Sequence, residues 1–381
     1  MDPQANPTER YLERVRKMRR LPSAGVRLLD VKGQMHRFTG SLQKLCETLQ
    51  PTRVNDQLLY KYRVFLSDSP KNIGFGCGSL FTLASKMVCP SFGLPAGPPA
   101  LGGCCVHSNN KRLFTEGVNE HLYICHNCYA VDGNYARNLS TQVGQLARKL
   151  WVAQQLEAGT FVDEMIQAYD YWLGRSHRTI VIPYNKVTRT LAYTLPTDPR
   201  FFRIHDSGDF LWHKGYFTAW VDITTAFPHV LFWAPTRDYN TPAFVELVSS
   251  ISRPANFILR PSSLFIGDPA PSVQGLDAGS TACFLDEPAD GRYDRQCPAG
   301  KGAGKRHNCH DQNCRLCWKN PDVSVSYAPH GNAGEYLAQK RVERENPLSD
   351  DAENLRVMGL DEDDVVAALE GLGENQPLMR R

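Results

Sequence analysis

Eleven of the twelve cysteines fall in two runs: Cys77, Cys89, Cys104, Cys105, Cys125 and Cys128, then Cys283, Cys297, Cys309, Cys314 and Cys317. Clustered thiols serve disulfides, metals or redox chemistry, and the compartment decides which. Residues 1–20 are charged and lack the apolar core and cleavage site of a secretory leader. No stretch approaches the ~18 consecutive apolar residues of a membrane-spanning helix. A cytoplasmic protein with reduced thiols and no membrane partner is expected. Its cysteines then point to metal or catalysis. Cys46, alone on a helical segment, reads as a small buried hydrophobe.

A chain of 381 residues can bury a sizeable core without staples. The net charge of +3 excludes a histone-like binder, but the charge is unevenly spread. Residues 1–33 carry eight Lys and Arg against four Asp and Glu. Residues 350–381 carry nine Asp and Glu against three Lys and Arg. Three parts are expected: an N-terminal extension with a basic helix (1–69), a Cys-rich α/β domain (70–331) and an acidic tail (332–381).

Residues 7–21 read as the basic helix, with Tyr11, Val15 and Met18 on one face. Residues 54–66 alternate enough for a strand. Residues 70–134 are rich in Gly, Pro and Cys, and a loop of that length inside a compact domain is expected to be functional. Leu139, Val143, Leu146 and Leu150 form the stripe of a helix, and a second helix follows through Phe161, Met165, Tyr169 and Trp172. Strands at 200–205, 229–234 and 256–260 then alternate with helices at 212–227 and 242–252, and a further strand lies at 323–328. This alternation predicts an α/β fold, either a partial (β/α) barrel or an open parallel sheet with Cys-rich metal-binding insertions. Chemistry in such folds sits at the carboxyl ends of strands. Four strand ends here carry polar side chains, among them His205, Ser207 and Asp209 after the first and Arg237 after the second. Consecutive parallel strands are usually neighbours, which predicts that Asp209 and Arg237 lie together.

In the first run, Cys125 and Cys128 form a CxxC that offers two sulfurs from one turn. Cys89 and Cys104 or Cys105 would complete a four-sulfur site, for zinc or an iron–sulfur cluster alike. In the second run, Cys309, Cys314 and Cys317 have the C-x4-C-x2-C spacing of plant-type ferredoxins, with Cys297 or Cys283 as the fourth ligand. A zinc knuckle is the alternative there. Around it stand Lys301, Lys305, Arg306, Arg315, Lys319 and Trp318, so the basic loop 300–319 is a candidate contact for nucleic acid.

Several motifs resemble the gene product 88 domain family of bacteriophages and mobile elements. They are Cys89 with Gly93-Leu94-Pro95-Ala96-Gly97, and Cys125-His126-Asn127-Cys128-Tyr129-Ala130 with Tyr135 and Arg137. Next come Arg203-Ile204-His205-Asp206-Ser207-Gly208-Asp209-Phe210 and Phe232-Trp233-Ala234-Pro235-Thr236-Arg237, and finally Cys309, Cys314, Leu316, Cys317 and Trp318. The likeness covers about 85–320. A looser similarity is to radical S-adenosylmethionine enzymes, in which a three-cysteine loop holds a four-iron cluster and a Gly-rich strand end binds the methionine moiety. That similarity implies an S-adenosylmethionine site at Ser207, Gly208 and Asp209. Those enzymes carry C-x3-C-x2-C, whereas 19 residues separate Cys105 from Cys125.

The expectation that follows is an iron–sulfur enzyme, with His205 shuttling a proton, Asp209 facing the substrate and Arg237 holding a carboxylate or phosphate. The competing expectation is a zinc-stapled nucleic-acid-binding protein without catalysis, which accounts for the cysteines, the basic loop and the basic helix but not for the polar strand ends.

Overall fold

The computed structural model describes residues 6–21, 23, 25–30, 32–49, 51–54, 57–60, 62–66, 80–84, 87–109, 114, 120–131, 135, 139–174, 179–182, 193–284, 289–298, 309 and 312–329. The chain divides into two compact units, Met1–His330 and Gly331–Arg381. The second unit, and with it the acidic tail, lies outside the described residues. So do Cys77 and most of the basic loop, including Lys301, Lys305 and Arg306.

The N-terminal part contributes β1 (Val26–Asp30) and β2 (Met35–Phe38), then a hairpin of β3 (Pro51–Val54) and β4 (Gln57–Tyr60), then β5 (Tyr62–Leu66). β1 pairs antiparallel with both β2 and β5. The single strand expected over 54–66 is therefore three elements. Alternation in the sequence continues across the breaks, so it does not mark where one piece ends and the next begins.

Next come β6 (Thr82–Ala84), β7 (Cys89–Phe92), the hairpin β8 (Thr179–Ile182) and β9 (Tyr193–Pro196), β10 (Phe201–Ile204), β11 (Leu231–Thr236) and β12 (Phe257–Pro261). The main sheet has the order β12-β11-β10-β7-β6. Its first four strands are parallel, and β6 is an antiparallel edge. An open sheet forms rather than a barrel. Beyond it, β13 (Ser280–Ala282), β14 (Arg295–Gln296) and β15 (Val325–Tyr327) make a small parallel sheet in the order β13-β15-β14, joined to the end of β12 through the Ser262–Ser280 bridge. The strand expected at 323–328 therefore does not share the main sheet's carboxyl edge.

Side chains alternate between the two faces of the main sheet. Phe92, Phe202, Ile204, Phe232, Ala234, Phe257 and Leu259 join the main core with the helices Leu139–Glu157, Phe161–Gly174, Tyr216–Ala226 and Pro242–Ser250. Tyr169 sits among Phe81, Phe202 and Phe227 with ring centroids 5.0–5.5 Å apart. The helix expected at 212–227 begins only at Tyr216, because Gly215 at its N-cap is left-handed. The opposite face carries Cys89, Phe201, Trp233 and Ile258 and is covered by Cys317, Trp318 and Tyr327. No helix among the described residues is long and apolar enough to cross a membrane.

Two arginine anchors hold this assembly. Arg260 on β12 is fully buried and donates to the carbonyls of Ala278 (2.6 Å), Val323 (2.7 Å), Asn320 (2.5 Å) and, at 3.4 Å, Leu316. It thereby fixes the short helix Leu316–Lys319 to the sheet. Arg19 ends the helix Pro7–Met18 and donates to Ala96 O at 2.8 Å and Leu101 O at 3.3 Å. That helix lays Tyr11, Leu12, Val15 and Met18 against Ala96, Ala130 and Val131. Part of its basic charge is thus spent inside the protein. Arg260→Met should remove the side-chain donor shared by these four carbonyls, leave those of Ala278 and Val323 the most exposed to its loss, and cost roughly 3 kcal/mol. Urea unfolding followed by tryptophan fluorescence checks this, and an unchanged midpoint would show that the cover stands without the arginine.

Candidate functional site

The carboxyl edge of the main sheet is built by three loops. Leu94 N donates to Ser207 O at 2.9 Å and His205 N to Phe92 O at 2.8 Å, which ties the loop after β7 to the loop after β10. Gly93 has no room for a side chain: a Cβ there would stand 1.8 Å from Asp206 Oδ1. Gly208 adopts φ +92°, and a Cβ would meet Leu94 Cβ at 2.8 Å. Its lack of a side chain therefore serves packing. Ser207 Oγ accepts from Gln145 at 2.6 Å and donates to Leu94 O at 2.5 Å.

The loop after β10 is clasped to the end of β11 by two buried carboxyl groups. Asp209 accepts from Thr236 Oγ1 (2.7 Å), Arg237 N (2.8 Å) and Phe210 N (3.0 Å). Asp238 accepts from the same Phe210 N (2.8 Å) and from Leu211 N (2.7 Å). Burial pushes both carboxyls up, and for Asp238 the Asp209 charge adds to it. Asp238 Oδ1 has no hydrogen-bond partner and stands 3.8 Å from His107 Nε2. Asp209 and Arg237 are therefore neighbours, but the contact runs through the backbone. The carboxylate expected to face a substrate is taken up by the fold.

His205 is 1% exposed and packs its ring 4.4 Å from Phe210, with Nε2 3.1 Å from Tyr216 Oη. Burial lowers its pKa to about 3, with the Arg203 charge adding to the effect. A histidine held neutral in an aromatic core is poorly placed to shuttle protons.

Three thiols converge beside this clasp. Cys125 and Cys128 both oppose ionisation of Cys105, and Cys125 that of Cys128, after burial has already pushed all three up. Their charges also act on Tyr11, from the N-terminal helix. The CxxC turn is hung on the chain beyond β12, with Ile124 N donating to Leu264 O and Ile266 N to Leu122 O, both at 2.8 Å. Arg237 is the cation that most favours the Cys125 thiolate. Its Nε donates to Ser263 O at 3.1 Å. Its two terminal nitrogens donate to no described residue.

The other sequence-nominated thiols separate. Cys104 turns the opposite way from Cys105, into the main core, and burial pushes it up to about 12. Cys89 faces the other side of the sheet, near Arg203, Cys309 and Arg315. It does not complete the Cys125–Cys128 pair. In the second run, Cys297, Cys309, Cys314 and Cys317 come together: Cys309 is pushed up to about 12 by burial and then by the other three. Cys314 N donates to Cys309 O at 2.8 Å, and Cys317 Sγ lies 3.1 Å from Tyr327 Oη. Cys283, the other candidate fourth ligand, packs beside Thr281 on the small sheet. Cys46 is buried among Leu42, Leu45 and Val143, as expected.

Among the described residues, no three His, Cys, Asp or Glu side chains stand at the spacing of a metal site. The expected metal-binding insertions are thus Cys-rich insertions whose thiols converge without closing on an ion. Two sets of neighbouring sulfurs would suit a thiophilic metal if they closed up around it. Burial raises the pKa of Cys105, Cys125, Cys128, Cys309 and Cys317, so those thiols stay protonated and are not free nucleophiles.

Arg203, Tyr129, Tyr135 and Asp206, named from sequence as residues of the family motifs, form a partly buried network. Arg203 donates to Tyr129 Oη at 3.2 Å, and Tyr135 Oη donates to Asp206 Oδ2 at 2.8 Å.

The histidine gives a pH test. His205 binds its proton more weakly folded than unfolded, so stability is lost as pH falls below ~6.5 toward its folded value of about 3. Between pH 7 and 5 this group alone should remove about 2 kcal/mol. Replacing it in His205→Gln should flatten the denaturant-midpoint profile by that amount, and an unaltered profile would refute the neutral-histidine assignment.

A family model described as gene product 88 matches residues 67–320. No curated protein and no solved structure matches the chain.

Proposed function

We propose that this chain, which belongs to the gene product 88 family, is an iron–sulfur enzyme with its reactive centre at the carboxyl edge of the main sheet. The observation that carries the reading is that Cys105 and Cys128 pack against one cluster, with Cys125 and the Arg237 side chain near enough for their charges to act on each other. Three sulfurs hold a cluster yet leave one position open, whereas four close it. On this reading Cys105, Cys125 and Cys128 hold the reactive cluster. Cys297, Cys309, Cys314 and Cys317 hold a closed one that staples the covering layer. Such a cluster supplies one-electron transfer and, at an open iron, a Lewis-acid position.

The protein's own contribution is positioning. Arg237 offers its two terminal nitrogens as a planar fork to a carboxylate or phosphate. Asp209 fixes the Arg237 backbone, so the fork stays beside the thiols. Tyr11 and Tyr123 wall the site and exclude water. S-adenosylmethionine is the first ligand to test, because its carboxylate suits Arg237 and because cysteine loop, helix and strand come in the matching order. Ser207, Gly208 and Asp209 are committed to the fold, so its amino group would need other partners. Zinc in the four-sulfur set, with nucleic-acid binding, remains the second reading, favoured by the cations beside Cys317.

Anaerobic purification with iron, acid-labile sulfide and zinc quantified tests the assignment. Brown protein with iron and sulfide is expected. Cys125→Ala with Cys128→Ala should remove about half the iron, and Cys314→Ala with Cys317→Ala the other half. Cys283→Ala should change nothing. Colourless protein with stoichiometric zinc would replace this reading with the second.

A further inference from the structure

We propose that the face around Phe201 binds the phosphate backbone of a nucleic acid, without regard to base sequence. Three cations surround this one ring. Arg315 Cζ lies 4.8 Å from its centroid, Arg200 Cζ 5.9 Å and Lys319 Nζ 5.9 Å. Arg200 immediately precedes β10, while Arg315 and Lys319 flank the short helix at a spacing of four, so both reach back over the strand. One carboxylate answers them: Asp198 receives Arg200 Nε and Nη2, each at 2.9 Å. Arg315 Nη1 donates to Cys314 O at 3.0 Å. Among the described residues no carboxylate pairs with Arg315 or Lys319, so two positive charges stand together within the span of a ring, with the Arg200 side chain 75% exposed.

Like charges held this close repel, and the π face of Phe201 offsets only part of that cost. An anionic polymer offsets the remainder. Its nature follows from what the face lacks. Protein interfaces are anchored by exposed apolar or aromatic side chains. Among the described residues the exposed large hydrophobic is Met35, on β2 of a different sheet. Phe201, Trp233 and Trp318 are 4%, 2% and 2% exposed, so no ring is free to stack on a base. Charge without apolar anchors or stacking platforms suits repeated phosphates. This face adjoins the four-sulfur set, since Phe201 and Cys317 pack in one cluster, and it is not the Cys105–Cys125–Cys128 site of the leading reading.

The test is fluorescence anisotropy of a fluorescein-labelled 20-base-pair duplex titrated with purified protein between 50 and 200 mM salt. Binding should weaken linearly on a log–log plot, and a duplex of unrelated sequence should bind equally. Arg200→Gln with Lys319→Gln should reduce the slope by about 1.8, two contacts at about 0.9 each. Lys319→Gln alone should reduce it by about 0.9, which covers a double variant that fails to fold. Removing two exposed cations elsewhere, by Arg16→Gln with Lys44→Gln, should leave the slope unchanged. The proposal is overturned by absent binding at 50 mM salt, by an unchanged slope in the Arg200 and Lys319 variants, by an equal loss in the Arg16 and Lys44 control, or by polyglutamate displacing the duplex at lower charge equivalents than unlabelled DNA does.

Discussion

A sheet covered on both faces has little tolerance for charge, yet three arginines leave the non-helical side of this one: Arg203 from β10, Arg237 just past β11 and Arg260 from β12. Much of the covering layer is arranged to answer them. Arg260 is met by four main-chain carbonyls. Arg203 lies over the Trp233 ring at 5.0 Å and reaches Tyr129, with Asp206 supplying charge. Arg237 has one carbonyl and the neighbouring thiols. Deprotonated sulfur beside it would add a charge partner to that one carbonyl. Desolvated cation and sulfur set thus favour each other's charged forms, and on the proposed reading metal binding would be coupled to the local stability of the site.

The elements legible from sequence were those with room to be periodic. The helices Leu139–Glu157 and Phe161–Gly174 show apolar stripes, and β10, β11 and β12 are apolar runs bounded by turn residues. β7 was illegible. Cys89-Pro90-Ser91-Phe92 is buried at every position and carries a proline, so neither alternation nor β-propensity marks it as a central strand. It lies inside the stretch read as loop, and its true role came only from pairing with β10.

The same limit governed the site. That cysteines cluster was readable; which ones share a cluster was not. Cys104 and Cys105 are adjacent in sequence and point to opposite sides, so one fills the core and the other meets Cys125 and Cys128. Cys89 falls on the face shared with Cys317 because side chains alternate along β7. The proximity of Asp209 and Arg237 was correctly anticipated from strand order, but the chemistry was not. Sequence cannot say whether a carboxylate will spend its lone pairs on backbone N–H groups, as Asp209 does here.

The N-terminal helix has a consequence for how the protein is made. Arg14 Nη2 donates to the carbonyl of His126, across 112 residues of chain, and Tyr11 packs 5.1 Å from the His126 ring. The helix leaves the ribosome ahead of the CxxC turn and cannot find this seat until that turn has followed it out. At ~5–20 residues per second, that is an interval of several seconds or more. The Cys125 and Cys128 thiols therefore emerge before the tyrosine wall that shields them has docked. On the proposed reading that is when a metal would reach them, and the helix then closes over the turn as a latch whose docking is among the more non-local contacts in the chain.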